Sequence, residues 1–219
     1  MTLARRMVAE ILGTALLLAT VVGSGIMGER LAGGSVGLAL LANTLATGAG
    51  LLALILTFGP ISGAHFNPAV TLAEAYLGNL RWREVPLYVM AQLVGAFAGV
   101  AAAHGMFGLP LFFASDHIRT GTAQWSSEFI ATFGLLAVII GCTRSRPTVT
   151  PFAVAAYITA AYWFTSSTSF ANPAVTLARA ASNTFAGIRP DDVGGFVLAQ
   201  LFGAACAVAI FRWLYREGE

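Results

Sequence analysis

The chain has 219 residues, 57% of them hydrophobic and 10% charged, with a net charge of +2 and a mean hydropathy of +0.76. A soluble domain of this size could not cover so much apolar side chain with polar surface, so the composition excludes a water-soluble globular protein and requires a lipid bilayer. The small positive charge comes without any Lys/Arg-rich tail, which excludes nucleic acid as a partner.

Six apolar runs approach the ~20 helical residues that cross a hydrocarbon core. They lie near 4–27, 35–58, 85–107, 125–142, 149–166 and 193–214. The first has a basic start at Arg5 and Arg6, as a secretory signal does. It runs on to Met27 without an Ala-x-Ala cleavage site and reads as a retained span. Cys142 and Cys206 fall inside apolar runs, where each reads as a small hydrophobe and not as half of a disulfide.

Two shorter apolar segments, about 67–78 and 172–183, follow the second and fifth runs, and both open with Asn-Pro. Pro68 and Pro173 suit the first helical position, where a missing N–H costs nothing, and Asn67 and Asn172 then become N-caps. Each segment is about half a span long and reads as a half-helix. The two begin almost identically, "NPAVTLAEA" at 67–75 and "NPAVTLARA" at 172–180, differing only in Glu74 against Arg179.

The duplication extends along the chain. "AEILGTALL" (9–17) corresponds to "SEFIATFGLL" (127–136), and "AQLVGAFAG" (91–99) to "AQLFGAACA" (199–207). Repeat one covers about 1–108 and repeat two about 124–219, within one transmembrane domain over 1–219. Each copy holds three spans, an odd number, so the second copy is inverted in the membrane. The half-helices then enter from opposite faces and meet near the midplane, where irregular backbone is tolerated only when it lines a cavity or is buried in protein. The expected fold is all-α: six transmembrane helices and two re-entrant half-helices in an inverted repeat.

The paired Asn-Pro-Ala boxes (Asn67, Pro68, Ala69 and Asn172, Pro173, Ala174), the stretch "SGAHFNPAVT" (62–71), and Glu10 and Glu128 in the first and fourth spans resemble the aquaporin and aquaglyceroporin, or major intrinsic protein, family of membrane channels. The resemblance covers essentially the whole chain. It implies a homotetramer with one pore per subunit, passing water and small neutral solutes without a cofactor. The boxes form the central constriction, where Asn67 and Asn172 each offer amide donors to a passing oxygen and the half-helix N-termini repel cations.

The family's selectivity ring uses four positions, with an arginine directly after the second box. Here that position is Val175, a departure, and the family's spacing puts the other three at Thr47, Ala160 and Ser169. All four are small, which implies a wider and less cationic ring. "TSFANPAVTLARA" (168–180) resembles a bacterial subgroup tied to arsenic resistance, the AqpS-type channels. That resemblance implies passage of arsenite or methylated arsenicals as well as glycerol and water.

Arg179, four residues past Val175, has two readings. It can line the pore as a substitute charge, or serve the structure near the C-terminus of its half-helix, where a dipole or a carboxylate favours it. The terminal position favours the structural reading. His65 either lines the pore or holds its loop by hydrogen bonding. Glu10 and Glu128 are expected to accept hydrogen bonds from the re-entrant loops, and Gln92 and Gln200 to join helices. His104 and His117 are too scattered to bind a metal. Gly95 and Gly99, four apart, suit close helix contact.

Arg5, Arg6, Arg81, Arg83, Arg144, Arg146, Arg212 and Arg216 share the side of the termini, against Arg30, Arg119 and Arg189 opposite. The excess puts both termini in the cytoplasm and the protein in the inner membrane. The alternative class is an ion-coupled secondary transporter, which also uses broken helices in inverted repeats. It ordinarily carries an ionisable group at the midplane, where this chain has amides. No catalytic grouping or phosphate loop points to an enzyme.

Overall fold

The computed structural model describes residues 1–215; Arg216, one of the arginines counted above, lies outside the described residues. Among the described residues eight α-helices follow in order: α1 (Leu3–Leu31), α2 (Val36–Ser62), α3 (Pro68–Tyr76), α4 (Val85–Met106), α5 (Thr122–Ser145), α6 (Thr150–Phe164), α7 (Pro173–Arg179) and α8 (Val193–Leu214). No strand occurs among the described residues, only an isolated bridge between Phe113 and Ser182.

Local chemistry sets the ends. Thr2 and Ser35 cap α1 and α2 through their hydroxyls, and Gly63, at φ 95°, closes α2 in the left-handed conformation that glycine adopts without strain. Asn67 and Asn172 cap α3 and α7, with proline at the next position in both. Five helices, those at 3–31, 36–62, 82–106, 122–145 and 190–214 when their leading single turns are included, are long and apolar enough to cross a membrane. The expected fifth span is shorter, because α6 has 15 residues. Thr165 turns the backbone to extended geometry at the start of "TSSTS", whose hydroxyls compete for backbone hydrogen bonds and stop the helix.

The two halves have the same plan, two helices, a half-helix and a long helix, with α6 shorter than its counterpart α2. α1 packs on α4 as α5 packs on α8. Glycines permit the approach, since a Cβ on Gly95, Gly99 or Gly203 would run into the backbone oxygen of Ile11, Ala15 or Phe129 respectively. Large apolar side chains such as Leu12, Leu16, Met90, Val94, Leu198 and Phe202 remain exposed on the outer faces of these helices, as a lipid-facing surface requires.

The half-helices are exchanged between the halves. Ala174, Val175 and Ala178 of α7 join the apolar core of α1, α2 and α4. Ala69, Val70 and Ala73 of α3 join that of α5, α6 and α8. Each half therefore completes the other's core, and α3 and α7 meet between them.

Candidate functional site

The tips of α3 and α7 are joined by reciprocal hydrogen bonds. Asn67 Nδ2 donates to Ala171 O and Asn172 Nδ2 to Phe66 O, both at 2.7 Å. Each Oδ1 caps its own helix, accepting from Ala69 N in one case and from Ala174 N and Val175 N in the other. A primary amide has two N–H groups, so one donor on each asparagine is left over after these bonds. The loops leading to the tips run through left-handed backbone at residues other than glycine: Ala64 and Phe66 in one, Thr168, Ser169 and Ala171 in the other. Conformations of this kind cost of order 1–3 kcal/mol each and persist only where the surroundings enforce them.

Two buried carboxylates enforce them. Glu10 accepts from Ser62 Oγ and His65 N on one oxygen, and from Phe66 N and Gln92 Nε2 on the other. Glu128 repeats the pattern with Ser167 Oγ, Phe170 N, Ala171 N and Gln200 Nε2. The same glutamines donate to Thr71 Oγ1 and Thr176 Oγ1, which are bound to the asparagine carbonyls. A fully buried carboxylate is tolerable only when its lone pairs are satisfied in this way. Gln92 and Gln200 thus tie α4 and α8 to the loops without facing open space themselves.

That open space is a cavity of about 300 Å³ between α1, α2, α3, α5, α6 and α7. It reaches from Glu74, Thr143 and Thr150, at the end shared by the chain termini, past both asparagines to Phe170 and Arg179 at the other end. Its walls are mainly apolar, including Leu17, Val21, Leu51, Ile55, Leu135 and Ile139. Pro68, Ala69, Pro173 and Ala174 do not line it; they form the first turns of α3 and α7 behind the asparagines.

Thr47, Ser169, Val175, His65 and Arg179 all line the cavity. Ala160 does not: it is exposed on the outer face of α6. α6 turns Val154, Ile158 and Tyr162 inward at four-residue spacing, and a residue two positions from Ile158 points about 200° away. The irregular residues 165–172 between α6 and α7 decide which α6 side chain faces the cavity, and their spacing to the second box does not fix it. Tyr162 is the side chain that meets Thr47, its Oη donating to Thr47 Oγ1 at 3.3 Å. The sequence reading missed Tyr162 and also Phe170, the residue corresponding to His65 in the second copy. His65 is both in the cavity wall and hydrogen-bonded, Nδ1 to Thr71 Oγ1 at 3.1 Å, with its ring 5.0 Å from that of Tyr88.

Half-helices locked tip to tip beside one elongated cavity within a bundle of apolar helices mark a membrane transport protein. The chain belongs to the major intrinsic protein family, whose sequence profile matches residues 1–165. It is 58% identical over 217 residues to aquaglyceroporin AqpS of Rhizobium meliloti (strain 1021), covering 99% of this chain and 93% of that one. Aquaporin NIP1-3 of Oryza sativa subsp. japonica is 37% identical over 140 residues, 63% of this chain and 48% of its own length. The X-ray structure of the aquaglyceroporin from Plasmodium falciparum has the same fold, with a TM-score of 0.69 over 96% of both chains at 18% identity. These relatives are channels and not enzymes.

Proposed function

We propose that the chain is a passive channel for small uncharged solutes whose selectivity ring lacks the arginine that the family's ring carries, and that it passes arsenite or methylated arsenicals in addition to glycerol and water. One observation carries this reading: Val175, the residue directly after the second box, lines the cavity. A buried valine gives no charge and less bulk than a guanidinium, so the passage admits solutes wider than a file of waters. The ring is formed by Thr47, Ser169, Val175 and, in place of Ala160, Tyr162. Similarity to aquaglyceroporin AqpS supports glycerol among these solutes.

The asparagine amides give a solute oxygen two donors at the midpoint, with apolar walls on either side. Both termini lie in the cytoplasm. In the helix order, Arg5, Arg6, Arg81, Arg83, Arg144, Arg146 and Arg212 share the end of the termini, and Arg30, Arg119 and Arg189 the other. The exposed apolar faces suit an inner-membrane homotetramer.

Purified protein in liposomes, challenged with water, glycerol, arsenite and a methylarsenical and followed by light scattering or retained arsenic, tests the reading. Flux is expected to rise almost linearly with solute and to ignore an imposed proton gradient. Saturation together with gradient dependence would instead identify a coupled transporter.

A further inference from the structure

We propose that Arg179, which shares the Phe170 ring with Arg119, is a charged selectivity site of this channel, displaced about one helical turn (~6 Å) along α7 from Val175. The inference deepens the channel reading and rests on it. Arg179 is 2% exposed, yet it borders the cavity. Its Nε donates to Ala186 O, and its guanidinium carbon lies 3.3 Å from the centre of the Phe170 ring, which also lines the cavity. Arg119 lies near the same ring, its guanidinium carbon 5.0 Å from the centre, while Nε donates to Gly187 O and Nη1 to Ser167 O.

Among the described residues neither arginine forms an ion pair. Glu128 is committed to Ser167, Phe170, Ala171 and Gln200, and Asp192 pairs with Arg189 and accepts from the backbone N of Arg119. A guanidinium buried at membrane depth without a carboxylate is costly unless it meets water or a solute. Arg179 has five N–H donors, and the protein engages only Nε in a hydrogen bond among the described residues.

The remaining Nη donors have the cavity as their available polar partner. The Phe170 face holds the planar group in place and leaves its edge for a ligand. The fixed positive charge repels cations at the end of the cavity away from the termini, and the fork of donors recognises small uncharged solutes rich in oxygen acceptors, such as polyols and undissociated oxoacids. Val175 leaves the ring wide while Arg179 restores the charge one turn away, so width and charge are set by different residues.

Proteoliposomes of wild type, Arg179→Gln, Arg179→Lys and the double variant Val175→Arg/Arg179→Gln test this, with sodium leak read under voltage clamp and glycerol and water fluxes by light scattering. Arg179→Gln is expected to raise sodium leak about tenfold or more and to lower the glycerol-to-water ratio. Arg179→Lys should keep sodium out, since charge is retained, but lower the ratio, since the fork is lost. The double variant should exclude sodium again. Sodium leak at the wild-type level in assembled Arg179→Gln overturns the proposal. So does a double variant as leaky as Arg179→Gln, because charge would then not be the operative property. Where Arg179→Gln does not assemble, Arg179→Lys decides alone: an unchanged glycerol-to-water ratio overturns the assignment, and a lowered ratio with sodium still excluded supports it. A wild type that passes neither water nor glycerol above empty liposomes would fail the channel reading, whereas unaltered selectivity in conducting variants fails only the role of Arg179.

Discussion

The two ends of the cavity are built from nearly the same nine residues and differ where it matters chemically. Behind each asparagine the frame is duplicated: Glu10, Gln92 and Thr71 on one side, Glu128, Gln200 and Thr176 on the other, joined by matching hydrogen bonds. At the mouths the copies diverge. His65 and Glu74 stand at the end of the termini, where Glu74 is partly exposed and accepts from Asn79 Nδ2 at 2.8 Å. Phe170 and Arg179 stand at the other end, buried and stacked. The frame must hold the same strained loop twice, and its geometry leaves little room for variation. The mouth positions border the cavity and take no part in the carboxylate frame, so each copy carries its own chemistry there.

The largest expected effect comes from breaking the frame. Glu10→Leu or Glu128→Leu would strip two loop N–H groups and a glutamine of their acceptor inside the protein, at about 1–3 kcal/mol for each donor left unpaired. Both variants should lose most assembled protein in a size-exclusion and thermal-stability assay. A large difference between them would show that the two frames are not equivalent.

Next comes the shared midpoint. Replacing Asn67 and Asn172 together by Asp puts carboxylates where both copies present amide donors, reversing the local field. Proton or sodium conductance in a voltage-clamped bilayer should rise about tenfold or more. A folded double variant no leakier than wild type would place the cation barrier entirely at a mouth, and so sharpen the contrast between the ends.

The third test separates the ends directly. Val175→Arg adds bulk and charge beside Thr47, Tyr162 and Ser169 and should reduce methylarsenical flux about tenfold while water flux falls only a few-fold, since waters can exchange hydrogen bonds with the guanidinium. Val70, also in the cavity wall, is its counterpart in the first copy. Val70→Arg beside Val175→Arg in the same vesicles shows whether solute size is judged at one end or both. Equal loss for all solutes in Val175→Arg alone would remove Val175 from the selective ring.

The smallest effect is expected at Glu74. It is partly exposed, so Glu74→Gln removes a screened charge and should change water and glycerol flux by less than about twofold. A change as large as that at Arg179 would mean that both mouths select by charge.

Much of the molecule can be read from residue order. Hydropathy separates the spans, Asn-Pro marks both half-helices, and an odd number of spans per copy dictates inversion, because these are properties of local composition and chain connectivity. The membrane makes them unusually informative, since backbone groups in lipid must be satisfied within a helix. The four-residue spacing of Gly95 and Gly99 likewise signals close contact, although not which carbonyls they meet.

Composition and connectivity thus specify the number, order and inversion of the elements and which residues form the boxes. Which side chains share the cavity follows from long-range packing. Ala160 and Tyr162 differ by two positions in one helix, and the choice between them depends on the length of an irregular segment that carries no periodic signal. The exchange of α3 and α7 between cores arises from packing between segments about a hundred residues apart. Arg179 was ambiguous for the same reason: a helix-end arginine is structural or functional according to whether a carboxylate reaches it. Here Glu128 and Asp192 are bound elsewhere, while the Phe170 ring and the cavity are what Arg179 meets.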